Sequence, residues 1–418
     1  MQGCFRWMLA VAPRISAVPQ RPAGESRYAV IVFALALGGF AIGTSEFAMM
    51  GLMPNLVQAF GVSEPQVGHM ISAYALGVVV GAPVLAILGA RLPRRTLLLA
   101  FMTFYALGNL ATALAPTYAT MLAFRFIAGL PHGAYFGVAM LVAADIAGPA
   151  RRGAAVSQVM LGLSIAILLG NPLATWMGQV LSWRYTFALV ALVAVITVAM
   201  IARHLRSVPV DPDQSPLREL RAFNTSQVWL TLLIGAIGFA GMFCVFSYLT
   251  ATLTHVTGVS DGWIPVALAV FGVGSVIGNL AGGWLVDRMQ FRATAVILIW
   301  SALVLVVFPL AAHSLWTILP AVLAIGTMGA LGPALQTRLM DVAGEAQTLA
   351  AASNHAAFNA ANALGPWLGG LAITAGLGWT STGYVGAATA VAGLLIYLWA
   401  RRDDNRSGSV LLADQAQR

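Results

Sequence analysis

Apolar residues run along this chain in blocks of about twenty, broken by short polar intervals, from position 28 to position 400. A helix needs roughly 20 consecutive apolar residues to cross hydrocarbon. Twelve segments meet that length: 28–52, 67–89, 94–114, 117–144, 154–178, 185–203, 227–253, 262–286, 293–312, 315–337, 347–375 and 379–400. They lack the period-two alternation of barrel strands, and lipid admits only helices or closed barrels as spanning structures. The pattern predicts an all-α integral membrane protein with twelve transmembrane helices, surrounded by a lipid bilayer.

One polar interval is much longer than the rest: "RHLRSVPVDPDQSPLRELRAFNTSQ", 203–227. Its prolines and mixed charge mark a linker, with a short surface helix expected near "LRELRAF". It divides the spans six and six. The predicted organisation is a tail over 1–27, six helices over 28–203, a linker over 204–226, six helices over 227–402 and a tail over 403–418. Punctuation repeats at corresponding places in the halves. "LAILGARLPRRTLLL" (85–99) follows the second span and "AGGWLVDRMQFRATAV" (281–296) follows the eighth. "GNPLATWMGQ" (170–179) lies in the fifth and "GPWLGGLAIT" (365–374) in the eleventh. This internal symmetry predicts two pseudo-symmetric bundles.

Charge sharpens the topology. The chain carries 22 basic residues and a net charge of +8. With both termini on one side, all of them but Arg184 and Arg125 fall on that side, which makes it the cytoplasm. The basic excess is thus a topology signal, and no nucleic-acid partner is expected. Every basic residue is arginine. Without lysine there is no Walker-A phosphate loop and no Schiff base. Cys4 and Cys244 lie in a tail and a span, so neither a disulfide nor a metal cluster is expected, and no cofactor is called for. H-E-x-x-H is absent and no soluble catalytic domain is evident, which argues against an enzyme. The glycines of "FGVGSVIG" (271–278) lie inside a span at the wrong spacing for a dinucleotide site, and they read as packing glycines.

The polar residues inside the spans are few. Glu46, in "GTSEFAMM", is the carboxylate placed well inside an apolar helix, and Arg125 lies at a similar depth, about 10 Å from the outer edge at 1.5 Å per residue. An ion pair between them is geometrically allowed. Intramembrane charges face a partner or an aqueous path and often mark proton relays. Burial and a neighbouring guanidinium act oppositely on a carboxylate's proton affinity, and the balance can poise it for exchange. Arg125, Gly129 and Gly133 recur every four residues on about one helix face. His132 follows Pro131 and suits either a relay or packing. Asn109, Asn279, Asn359 and Asn362, with Tyr74, Phe246 and Tyr248, are candidate contacts in a substrate cavity, or else ordinary interhelical glue and lipid-facing aromatics.

The stretches "GTSEFAMMGLMPNL", "GHMISAYALGVVVGAP", "RFIAGLPHGAYFGV", "WRYTF" and "FNAANALGPWLGG" resemble the major facilitator superfamily, within its twelve-span drug:proton antiporter group and its AraJ-like members, from about residue 28 to 400. The resemblance implies a monomeric secondary transporter with a central cavity between two six-helix bundles, exporting a drug-like or sugar-like small molecule against protons in a bacterial inner membrane. A same-fold importer or facilitator is the alternative, and a membrane sensor the remote one. It also implies that Arg125 takes part in proton transfer, and that Gly170 and Pro172 belong to the fifth-span antiporter motif, matched by Gly365 and Pro366. The family's G-x-x-x-D-R-x-G-R-R loop is incomplete in its first copy: Ala90 and Pro93 replace the acid and a glycine, while Arg91, Arg94 and Arg95 remain. The second copy keeps Gly283, Asp287, Arg288 and Arg292, so a conformational lock would draw its acid from there.

Overall fold

In this computed structural model the described residues are 23–89, 92–148, 152–206, 225–342 and 347–417. They are helical almost throughout, with no strand among them. The long helical stretches are α1 (Ala23–Gly51), α2 (Glu64–Gly89), α3 (Arg94–Ala113), α4 (Tyr118–Ala147), α5 (Ala155–Val180), α6 (Trp183–His204), α7 (Ser226–Ser247), α8 (Trp263–Met289), α9 (Arg292–Ala311), α10 (Leu315–Val342), α11 (Gln347–Thr374) and α12 (Ser381–Gln417). Eleven are long and apolar enough to cross a membrane; α11 is not among them. It has the length, 28 residues, but Gln347, Asn354, His355, Asn359 and Asn362 lie within it and lower its hydropathy. Most of the expected tail and linker, 1–22 and 207–224, lies outside the described residues, as does the surface helix expected near 217–223. Helix α1 starts within the expected first tail, and α12 continues through most of the last one.

Prolines shape several helices without ending them. Pro83, Pro131, Pro309, Pro320 and Pro366 sit inside helical turns. In α5 the turn before Asn171–Pro172 widens into a π segment, Ala166–Gly170. Proline has no N–H to donate, and a local change in winding accommodates the lost bond. Helix α7 carries a similar segment, Ile234–Gly238.

Within the first and last six helices, α2 packs on α4, α3 on α4 and α6, α1 on α5 and α6, α8 on α10, α9 on α12, and α7 on α11 and α12. Contact between the first and last six is carried mainly by α2 on α11 and α5 on α8. Polar links between the sixes gather at one end. Thr250 donates to the Met50 carbonyl at 2.8 Å, His255 meets Glu64 at 3.0 Å, and Gln179 donates to the Asp261 carbonyl at 2.9 Å. At the opposite end the pairs stay within one six: Arg94 with Asp145, Arg338 with Asp404, and Arg27 with the His204 carbonyl. The first end is closed across the sixes.

Helices α2 and α4 approach backbone to backbone. A Cβ on Gly129 would strike the Tyr74 carbonyl oxygen, and one on Gly77 would strike that of Phe126. Gly283 is the opposite case, with nothing within 4 Å of where its Cβ would be. Gly129→Val is therefore expected to destabilise the protein by about 1–3 kcal/mol, the usual cost of overpacking. Gly283→Ala should be neutral or stabilising by up to about 1 kcal/mol, the helix-propensity gain. Thermal unfolding of the two purified variants in one detergent checks the contrast.

Candidate functional site

Successive residues of a helix point about 100° apart, and positions 45 and 46 of α1 use this to serve two neighbours. Ser45 faces α3 and α4. Its Oγ accepts a hydrogen bond from Arg125 Nη1 at 2.9 Å and donates to Asn109 Oδ1 at 2.5 Å. Glu46 faces α11, where its Oε1 accepts a hydrogen bond from Asn362 Nδ2 at 2.9 Å. Arg125, Asn109 and Asn362 are fully buried and Glu46 is 5% exposed. The direct ion pair allowed by depth does not form: no Glu46 oxygen lies within 4 Å of an Arg125 nitrogen, although the two still act on each other through space. The guanidinium instead lies 4.1 Å from the centre of the Tyr74 ring and 5.5 Å from that of Phe187. Cation–π contact of this kind partly replaces lost hydration.

From Tyr74 the hydroxyl network continues. Its OH is 3.2 Å from the Tyr105 OH and 3.1 Å from His132 Nδ1. The His132 ring lies against Phe136, which stacks on His355 of α11 at 5.5 Å and 2°. Residues 45, 74, 105, 109, 125 and 132 therefore form one buried polar cluster, and Glu46 attaches it to the last six helices. Ser72 adds a second crossing, donating to the Ala363 carbonyl at 2.8 Å.

The remaining candidate contacts separate. Phe246 stacks on Phe271 at 3.7 Å and touches Phe47. Tyr248 donates to the Pro366 carbonyl at 2.7 Å, and Asn359 donates to the His355 carbonyl one turn back at 3.0 Å. All of these are buried. Asn279 is exposed on α8 near Gly329 and Gly332 of α10, away from the cluster. A void of about 30 Å³, room for roughly one water, lies between α1, α5 and α6, lined by Thr44, Gly170, Ala174 and Thr186 among others. None of the expected cavity residues lines it.

Comparison with known proteins places this geometry. The sequence profile of the Major Facilitator Superfamily matches residues 35–348 and 251–415. The inner membrane transport protein YdhP of Escherichia coli K12 is 36% identical over 373 residues, covering 89% of this chain and 96% of that one. AraJ of the same strain is 34% identical over 376 residues, covering 88% and 94%. Among solved structures, a bacterial homologue of the human lysosomal transporter Spinster, in an inward-facing, unoccupied conformation, superposes with a TM-score of 0.73 at 16% identity, covering 92% and 98%. The chain belongs to the major facilitator superfamily. It is a multi-pass membrane transporter.

Beside the first copy of the family's loop motif, an ion pair is made with an acid outside the motif. Arg91 lies outside the described residues. Arg94 pairs with Asp145, at the last turn of α4, and Arg95 donates to the Ala202 carbonyl at 2.7 Å. Asp145 is the residue missed, and its signal was an acid at the end of an apolar helix opposite a basic loop. In the second copy, Asp287 makes no ion pair with any described residue. Arg288 lies over Trp284 at 4.0 Å, and Arg292 is the exposed first residue of α9. Gly133 abuts Ala82, Gly170 abuts Thr44, and Gly365 abuts the Ala240 carbonyl.

Arg125 is a buried charge with no ion pair among the described residues, and its Nε and Nη2 have no hydrogen-bond partner in the protein. Burying a charge that is not ion-paired costs several kcal/mol, a cost that an apolar side chain of similar volume does not carry. Arg125→Met is thus expected to keep or raise the unfolding temperature of this transporter while abolishing its transport. An unfolding temperature that falls with transport would assign Arg125 to structure alone.

Proposed function

We propose that this transporter is a proton-coupled exporter of small molecules in the bacterial inner membrane, acting as a monomer, with α11 as a twelfth span and both termini cytoplasmic. Two six-helix bundles would alternate access by rocking about the α2–α11 and α5–α8 contacts. The basic loops support the orientation, and the closed end would then be the outer one. Relatives support the substrate class. The "Chloramphenicol resistance protein" of Streptomyces lividans is 33% identical over 343 residues, and a "Probable sugar efflux transporter" of Helicobacter acinonychis is 28% identical over 374.

One observation carries the proton coupling: the buried Glu46 carboxylate, in the first six helices, receives its hydrogen bond from Asn362 in the last six. A hydrogen bond to a charged acceptor is roughly twice as strong as a neutral one. A proton on Glu46 removes the charge, weakens the link to α11 and ends the attraction of Arg125. The α1–α11 contact is therefore stronger in one protonation state than in the other, which is what a coupled two-state transporter requires. Tyr74, Tyr105 and His132 provide a hydroxyl–imidazole route beside it.

Glu46→Gln keeps the side-chain shape and an acceptor oxygen but holds no exchangeable charge. In proteoliposomes with an imposed proton gradient, gradient-driven flux of chloramphenicol or a sugar should drop at least about tenfold, a barrier change of about 1.4 kcal/mol. Exchange of the same compound across the membrane without a gradient should persist. Equal gradient-driven flux in parent and variant would defeat the assignment of Glu46, and parent flux indifferent to the gradient would favour a facilitator. Uptake in the direction of the proton flow would favour an importer.

A further inference from the structure

Asn171 in α5 is fully buried, and neither its Oδ1 nor its Nδ2 has a hydrogen-bond partner in the protein. A primary amide offers two donors and an acceptor with two lone pairs, and burying them unpartnered is costly. An alanine or leucine at this position would carry no such cost.

Its position is equally specific. One turn before it, Leu168 meets α8: a Cβ on Gly272 would lie 2.8 Å from the Leu168 Cα. One turn after it, Thr175 meets α1 at Gly51, where Leu268 of α8 also arrives. Asn171 therefore lies on the seam where α1 and α5 of the first six helices meet α8 of the last six. Level with it on α8, between Leu268 and Gly272, is Phe271, which continues the aromatic group formed with Phe246 and Phe47. Next to Phe246 on α7, Ser247 Oγ is also buried with no hydrogen-bond partner in the protein. Neutral donors and acceptors beside an aromatic wall match an uncharged molecule with an apolar body and hydroxyl or amide groups. The wide turn of the π segment ends at Asn171, a backbone feature frequent at functional sites.

We propose that Asn171 is a substrate-contacting residue that selects uncharged amphiphiles, its amide bonding a substrate hydroxyl or amide while the apolar part lies on Phe271 and Phe246. This rests on the transporter reading above and adds to it a residue and a rule of selection. The seam is shut in this arrangement, and the amide gains its partner when α8 moves away from α5.

The test compares parent and Asn171→Leu, which keeps the branched shape and the number of side-chain heavy atoms but makes no hydrogen bonds. Two uncharged probes are used, chloramphenicol and phenyl β-D-glucoside, each beside its O-acetylated form. Dissociation constants and ligand-free unfolding temperatures are measured on purified full-length protein. The parent should bind at least one free probe more tightly than its acetylated form. Asn171→Leu should bind that probe about tenfold more weakly or worse and lose the discrimination, with an unfolding temperature equal to or above the parent's. Unchanged affinity in the variant overturns the proposal. So does an unfolding temperature that falls along with affinity, since the amide would then be holding the helices together. A parent that binds neither free probe overturns the ligand class. These are equilibrium binding readouts, so a failure of proton coupling at Glu46 leaves them unaffected, and their failure leaves that coupling untouched.

Discussion

A lipid bilayer supplies no hydrogen-bond partners, and nearly every feature of this chain follows from that one constraint. The backbone satisfies itself in helices, so the described residues contain no strand. Side chains that cannot satisfy themselves must turn inward and meet one another. Ser45, Tyr74, Tyr105, Asn109, Arg125 and His132 do so, each reaching another polar group of the cluster. The cluster is held in the first six helices because its donors and acceptors come from α1 to α4. Glu46 is the exception that matters, since its hydrogen bond leaves the group and reaches α11.

In the proposed mechanism that exception links energetics to motion. The two sixes meet chiefly through α2 on α11 and α5 on α8, with small residues letting backbones approach. Such interfaces have few discrete arrangements, because packed surfaces do not deform continuously. In the proposed mechanism a charge change at Glu46, which bridges them, acts on the choice between arrangements rather than on one contact. The polar links at one end, Thr250 to Met50 and His255 to Glu64, show which arrangement this is. The opposite end keeps its ion pairs within each six.

Much of this was legible from residue order. Blocks of about twenty apolar residues predict the helices, and eleven of the stretches meet the length and hydropathy of a span. The eleventh block met its length but not its hydropathy, because the asparagines and histidine that make α11 interesting also make it less apolar. Depth counting brought Glu46 and Arg125 to one level, yet it could not tell that Ser45 would take the guanidinium. Asp145 escaped notice because the loop motif directs attention to Ala90, whereas its partner Arg94 is reached from the far end of α4. Asn279, a candidate cavity residue, is exposed on α8, apart from the buried cluster.

Hydropathy and charge order by themselves determined that the chain is a bundle of membrane helices, where most of them begin and end to within a few residues (α12 runs on to Gln417), and which polar residues enter the membrane. Those follow from the local cost of exposing polar groups to hydrocarbon, a property of each segment alone. The partner of each buried group was decided only by the tertiary structure. Ser45 rather than Glu46 meets Arg125, Asn362 meets Glu46, and Asn171 meets nothing in the protein. The reason is rotational: residues one apart on a helix differ by about 100°, and which neighbour each one faces depends on how all the helices are turned and packed together.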